Sequence, residues 1–123
     1  MKLHADPLTT LNTVTAYGPG FIEINSARYT TSIRLTPDQA PSQWVANFDA
    51  LRAEDFDALL TDHPEIVLLG TGARQRFPHP RLFASLARAH VGVEVMDTKA
   101  ACRTYNILVA EGRRVLAALL LDS

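Results

Sequence analysis

The sequence predicts an α/β protein: a single domain with an N-terminal antiparallel meander and a C-terminal β-α-β-α-β run. Three observations predict it. From Asn12 to Leu35 polar and apolar residues alternate between turn signals, which is the period of half-buried strands. After Pro64 the pattern changes to short, uninterrupted apolar runs separated by helical stretches, as in a sheet covered on both faces. The length of 123 residues suits one hydrophobic core and is short for two, so residues 1–123 are read as one unit.

The meander is punctuated by Tyr17-Gly18-Pro19-Gly20 and by Asn25-Ser26. Within it, Tyr29, Thr31, Ile33 and Leu35 alternate with Arg28, Thr30, Ser32 and Arg34, so residues 28–35 read as one strand. Residues 36–47, with Pro37 and Pro41, read as an irregular crossing anchored by Trp44. Phe56, Leu59 and Leu60 give the stripe of a short helix whose first turn carries Glu54 and Asp55. Ile66–Leu69 and Val115–Leu121 read as buried strands, and Val93 and Val95 flank Glu94 in a third. Pro80 opens a helix that turns Leu82, Phe83 and Leu86 inward. A second helix starts at Asp97 or Thr98, either of which can cap it, and stops at Gly112. The turn Glu111–Arg113 is tight enough that the last strand reads as either parallel or antiparallel.

Composition narrows the function classes. Twelve basic residues against thirteen acidic ones leave no global field for a nucleic-acid backbone or an anionic membrane, so no nucleic-acid partner is expected. No apolar run approaches the roughly 20 residues that span a bilayer. The segment MKLHADPLTT lacks the apolar core of a secretory leader. Cys102 is the sole cysteine and points to a reducing compartment, so a cytoplasmic location is expected. The histidines, His4, His63, His79 and His90, have no metal-ligand spacing, and Asp55 with Asp57 does not continue as a calcium loop; no metal and no cofactor are expected.

One place in the chain could hold a ligand. If the strands ending at Leu69 and Met96 are parallel neighbours, the loops beyond them open at the same edge of the sheet, where ligands of open α/β sheets bind. The candidate crevice comprises Gly70, Thr71, Gly72 and Arg74 from the first loop, and Asp97, Thr98, Cys102, Arg103 and Asn106 from the second helix. Against it, Gly70-x-Gly72 is a fragment of a dinucleotide fingerprint whose third glycine position holds Gln75. Asp97 serves better as a helix cap than as an anion contact, and no histidine spacing sets a base beside Cys102. No catalytic residue is assigned. Glu94 inside an apolar strand reads as a wet face or an ion pair, and Arg113-Arg114 as solvated.

The runs GVEVMDTKAACRTYNILVAEGRRVLAALL and LLGTGARQRFPHP resemble a small conserved domain family of unknown biochemical activity. That family includes bacterial and archaeal single-domain proteins, a mitochondrial assembly factor of respiratory complex I (NADH dehydrogenase alpha subcomplex) and an adipogenesis-associated relative. The family-like positions are Gly70, Gly72, Pro78, Glu94, Asp97, Thr98, Tyr105, Asn106, Glu111 and Gly112. The resemblance implies a three-layer fold on a mixed sheet and transfers no catalytic residue, cofactor or substrate. The leading expectation is a non-enzymatic protein-interaction or assembly module with a protein partner and a homodimeric state. The alternative is a binding protein or enzyme for a small anionic metabolite in the crevice between residues 70–76 and 97–103.

Overall fold

The structure, a computed structural model, describes residues 11–121. Residues 1–10, with His4 and the segment examined for a leader, lie outside the described residues.

Two sheets and three short layers organise the chain. Strands β1 (Val14–Gly18), β2 (Phe21–Ile24) and β3 (Ala27–Tyr29) form the antiparallel meander, in the order β1-β2-β3. The second sheet holds β4 (Ile33–Leu35), β5 (Ser42–Gln43), β6 (Ile66–Thr71), β7 (Gly92–Met96) and β8 (Val115–Leu120), in the order β5-β4-β8-β6-β7. The last strand is parallel to β6, and β6 is parallel to β7, while β4 runs antiparallel to β8. The sheet is mixed, as expected, and the open question of the final strand is settled as parallel.

Alternation along the two central strands divides the core. Leu68, Val115, Ala117 and Leu119 face the meander and helix α3 (Thr98–Ala110), meeting Ile22, Ile24, Ala101, Cys102 and Tyr105. Val67, Leu69, Leu116, Ala118 and Leu120 face the other way, onto helices α1 (Ala53–Asp57) and α2 (Ala84–Arg88) through Phe56, Leu59 and Leu86. Uninterrupted apolar sequence is what a strand needs when both of its faces are covered. Trp44 anchors the crossing segment by meeting Phe56 edge-on at 5.7 Å, and Phe83 also meets Phe56 edge-on, at 4.9 Å.

Helix α3 owes its limits to local chemistry. Asp97 is extended and its carboxylate accepts the Ala100 N–H at 2.8 Å, satisfying one donor of the first turn. At the other end Gly112 adopts φ +76°, Gly112 N–H donates to Val109 O and Arg113 N–H to Leu108 O, the paired closure that a left-handed residue permits.

The stretch read as one strand over 28–35 is two strands in different sheets, β3 and β4. The break has a cause at Ser32. Its buried hydroxyl donates to Ala46 O and accepts from Leu121 N–H, and its carbonyl accepts from Trp44 N–H, so the chain is drawn from the meander into the larger sheet. The helix expected from Pro80 begins as a 3-10 turn, Pro80–Phe83, before becoming α2.

Candidate ligand crevice

The parallel register sets Gly70 opposite Met96, so the loop after β6 and the start of α3 leave the sheet side by side. Their onward paths lie on opposite faces, α2 on one and α3 on the other, which makes this a topological switch point. Thr98 N–H donates to Gly72 O at 2.9 Å, and Gly72 N–H donates to Thr98 Oγ1 at 2.8 Å. Thr98 Oγ1 in turn donates to Leu120 O at 2.6 Å. One hydroxyl thus ties the loop, the helix and β8 together.

That knot commits the Gly72 N–H to a protein acceptor. A Cβ on Gly70 would stand 2.9 Å from Thr98 Oγ1 and 3.0 Å from Thr98 Cα, so Gly70 is required by close packing of helix on strand. Gly72 has φ +93°, a conformation that glycine reaches without strain. Thr71 is also committed within the loop, its hydroxyl donating to Arg74 O at 2.7 Å and accepting Arg76 N–H at 3.1 Å. Arg76 donates Nη2 to Thr71 O and lays its guanidinium 4.5 Å from the Phe48 ring centroid, on the α1 side of the sheet. Arg74 is exposed.

The residues of α3 diverge rather than line one wall. Cys102 is fully buried, and loss of water around it pushes the thiol up from 9.0 to about 12, so it stays protonated and unreactive at neutral pH. Asn106 faces β1, accepting Val14 N–H at 2.8 Å and donating Nδ2 to Val14 O at 2.9 Å. Arg103 donates Nη1 to Tyr17 OH at 3.0 Å. Tyr105 is buried and donates its hydroxyl to Asn12 O at 2.9 Å; burial, with the charge of Asp38, raises its pKa. Among the described residues, no group of three or more His, Cys, Asp or Glu side chains could hold a metal ion.

The open space lies one step outward from the switch point. A cavity of about 220 Å³ is bounded by the β1–β2 hairpin from Tyr17 to Ile22, by Gly72 and Ala73, by Thr98 and Lys99, and by Leu120 and Leu121. Sequence reasoning missed the hairpin wall and Lys99. The Gly18-Pro19-Gly20 turn and a lysine beside a helix cap were visible signals, but nothing local places them together. A second cavity of about 250 Å³ lies at the opposite end of the sheet, near Thr36, Asp38, Arg113 and Arg114. Thr36 Oγ1 is buried there without a hydrogen-bond partner among the described residues. The Arg114 N–H donates to Glu65 at 2.9 Å and Arg113 Nε at 3.1 Å, and these bonds, the first above all, hold the Glu65 carboxyl below its ordinary range.

These features define a three-layer α/β domain with a mixed sheet and a switch point whose loop, helix and last strand are tied together by Thr98. Residues 14–120 match a family described as a protein of unknown function (DUF498/DUF598), and the chain belongs to it. The chain is 36% identical over 104 residues to NADH dehydrogenase [ubiquinone] 1 alpha subcomplex assembly factor 3 of Bos taurus, covering 82% of this chain and 55% of that one. It therefore spans about half the length of that relative. It is 31% identical over 101 residues to the 13 kDa major membrane protein of Francisella tularensis subsp. holarctica, covering 80% of this chain and 82% of the other. Among solved structures, a Bordetella parapertussis protein superposes with TM-score 0.89 at 47% identity, covering 94% of this chain and all of its own.

Proposed function

We propose that this chain is a non-enzymatic protein-interaction or assembly module. The observation that carries the reading is the tie across the switch point. Thr98 uses its hydroxyl on Gly72 and Leu120, and Cys102 is buried as a neutral thiol, so these two groups of the candidate crevice are committed to packing. A relative named as an assembly factor over the same region supports it. The test is a tagged chain expressed in its native cells, cross-linked, purified and read by mass spectrometry. A reproducible protein partner is expected; repeated recovery of nothing above background refutes the reading.

A second reading rests on the cavity beside Lys99. A small anionic metabolite would enter between the hairpin and the first turn of α3, with residues 70–76 and 97–103 as its rim. A thermal-shift screen of anionic metabolites is expected to yield stabilisation that Lys99→Ala and Thr98→Ala both abolish; a silent screen removes this reading. We further infer a cytoplasmic homodimer. A sheet edge of the meander, β1 or β3, would be covered by a second copy, and light scattering at micromolar concentration would show a dimeric mass. Fractionation tests the compartment: no helix among the described residues is long and apolar enough to cross a membrane, although the Francisella relative is named as a membrane protein.

A further inference from the structure

We propose that the loop presenting Phe77 is the docking surface of the module and that its partner is an acidic protein segment offering an apolar pocket for the ring. The proposal rests on the interaction-module reading and adds the surface and the chemistry of the partner. Phe77 is 71% exposed, the most exposed large hydrophobic side chain among the described residues. Its neighbours are fixed: Pro78 is buried, and Arg76 is held by its stack on Phe48 and its bond to Thr71 O. Beyond them His79 accepts the Arg81 N–H through Nδ1, at the start of the 3-10 turn. A ring held outward by a rigid loop loses little conformational freedom on binding, which is what an anchor residue requires.

Charge selects the partner. Between Glu65 and Glu94 the chain contains Arg74, Arg76, Arg81 and Arg88 and no carboxylate. Arg74 and Arg81, three and four residues from Phe77, are exposed and make no ion pair among the described residues. An acidic segment flanking the pocket for Phe77 would satisfy both. A nucleic acid fits less well, because α1 carries Glu54, Asp55 and Asp57 and packs beside the turn Pro80–Phe83, so a phosphate chain running off the loop meets like charge. A compact acidic segment need not cross that strip.

The test is a display library of short random peptides selected on the wild-type chain, followed by fluorescence anisotropy on Phe77→Ser and on the double variant Arg74→Gln/Arg81→Gln. Selected peptides are expected to carry Asp or Glu beside an apolar residue. Affinity should fall about 30-fold in Phe77→Ser. A roughly tenfold rise in salt should weaken binding to the wild type and leave the double variant nearly unmoved. Unchanged melting temperatures show that the variants keep the fold. The proposal is overturned by peptides without acidic enrichment, by affinities indifferent to both variants, by an oligonucleotide that binds this loop more tightly than the peptides, or by a dimer that Phe77→Ser dissolves. Capture of a native partner indifferent to both variants leaves the module reading standing and refutes this surface. Peptide binding that depends on Phe77 with no native partner recovered does the reverse.

Discussion

Replacing Thr98 by valine tests this tie directly. Thr98 is 7% exposed, and its hydroxyl accepts from Gly72 N–H and donates to Leu120 O. Valine keeps the branched shape and removes both bonds, leaving a buried amide without its acceptor and a buried carbonyl without this donor. Each such loss costs about 1–3 kcal/mol, so Thr98→Val should lose about 2–6 kcal/mol. For 123 residues the unfolding entropy is about 0.26 kcal/mol/K, which converts the loss to a fall of about 8–23 °C in Tm. Thr98→Ser keeps the hydroxyl and gives up one methyl, worth about 0.8 kcal/mol or about 3 °C. Calorimetry on the three proteins reads the difference. If Thr98→Val melts with Thr98→Ser, the hydroxyl does not hold the switch point together.

Asn106→Ala should release β1 from α3 at a cost of about 1–3 kcal/mol, and hydrogen exchange should show faster exchange at Val14 while β8 stays protected. Gly70→Ala forces a methyl against Thr98 Cα and Leu119 Cδ2 and should cost about 1–3 kcal/mol by denaturant titration. The folded state holds the Cys102 proton more tightly than the unfolded chain, so its contribution is whole below pH 9.0 and is lost as pH rises toward about 12. The denaturation midpoint should therefore fall above pH 9.0, and Cys102→Ala should flatten that fall, leaving the part due to Tyr105, which is raised by burial in the same sense. A midpoint independent of pH in that window would contradict the burial of both groups.

The parts of the fold that were legible in sequence are those decided by local pattern. β6 and β8 announced themselves as unbroken apolar runs because both faces are covered, and α3 because Asp97 and Gly112 limit it by chemistry within a few residues. The neighbourhood of the two loops followed from parallel pairing of β6 and β7. What sequence could not give was set by long-range contacts. The passage of 28–35 between two sheets depends on Ser32 meeting Ala46 and Leu121. The hairpin wall of the outer cavity depends on Asn106 clasping Val14, 92 residues away. Arg76, in the loop 70–76 read from sequence as one side of the crevice, lies instead against the distant Phe48 ring.

Glu94, the carboxylate that seemed out of place in an apolar strand, follows from where that strand lies. Among the described residues β7 pairs only with β6 and forms one edge of the larger sheet. Gly92 N–H donates to Glu65 O, so backbone alternation turns the polar groups of Val93 and Val95 outward. Such an edge invites pairing with another chain. Here it is only five residues long, exposes Glu94, and has Val95 O covered by Gln75 Nε2 at 2.9 Å. Two copies pairing antiparallel about Glu94 would set the two carboxylates opposite each other, which disfavours sheet extension here. Gln75 belongs to the loop that carries Phe77. The same segment blunts the backbone edge and turns an aromatic side chain to solvent, so this rim offers side-chain chemistry in place of an open strand edge.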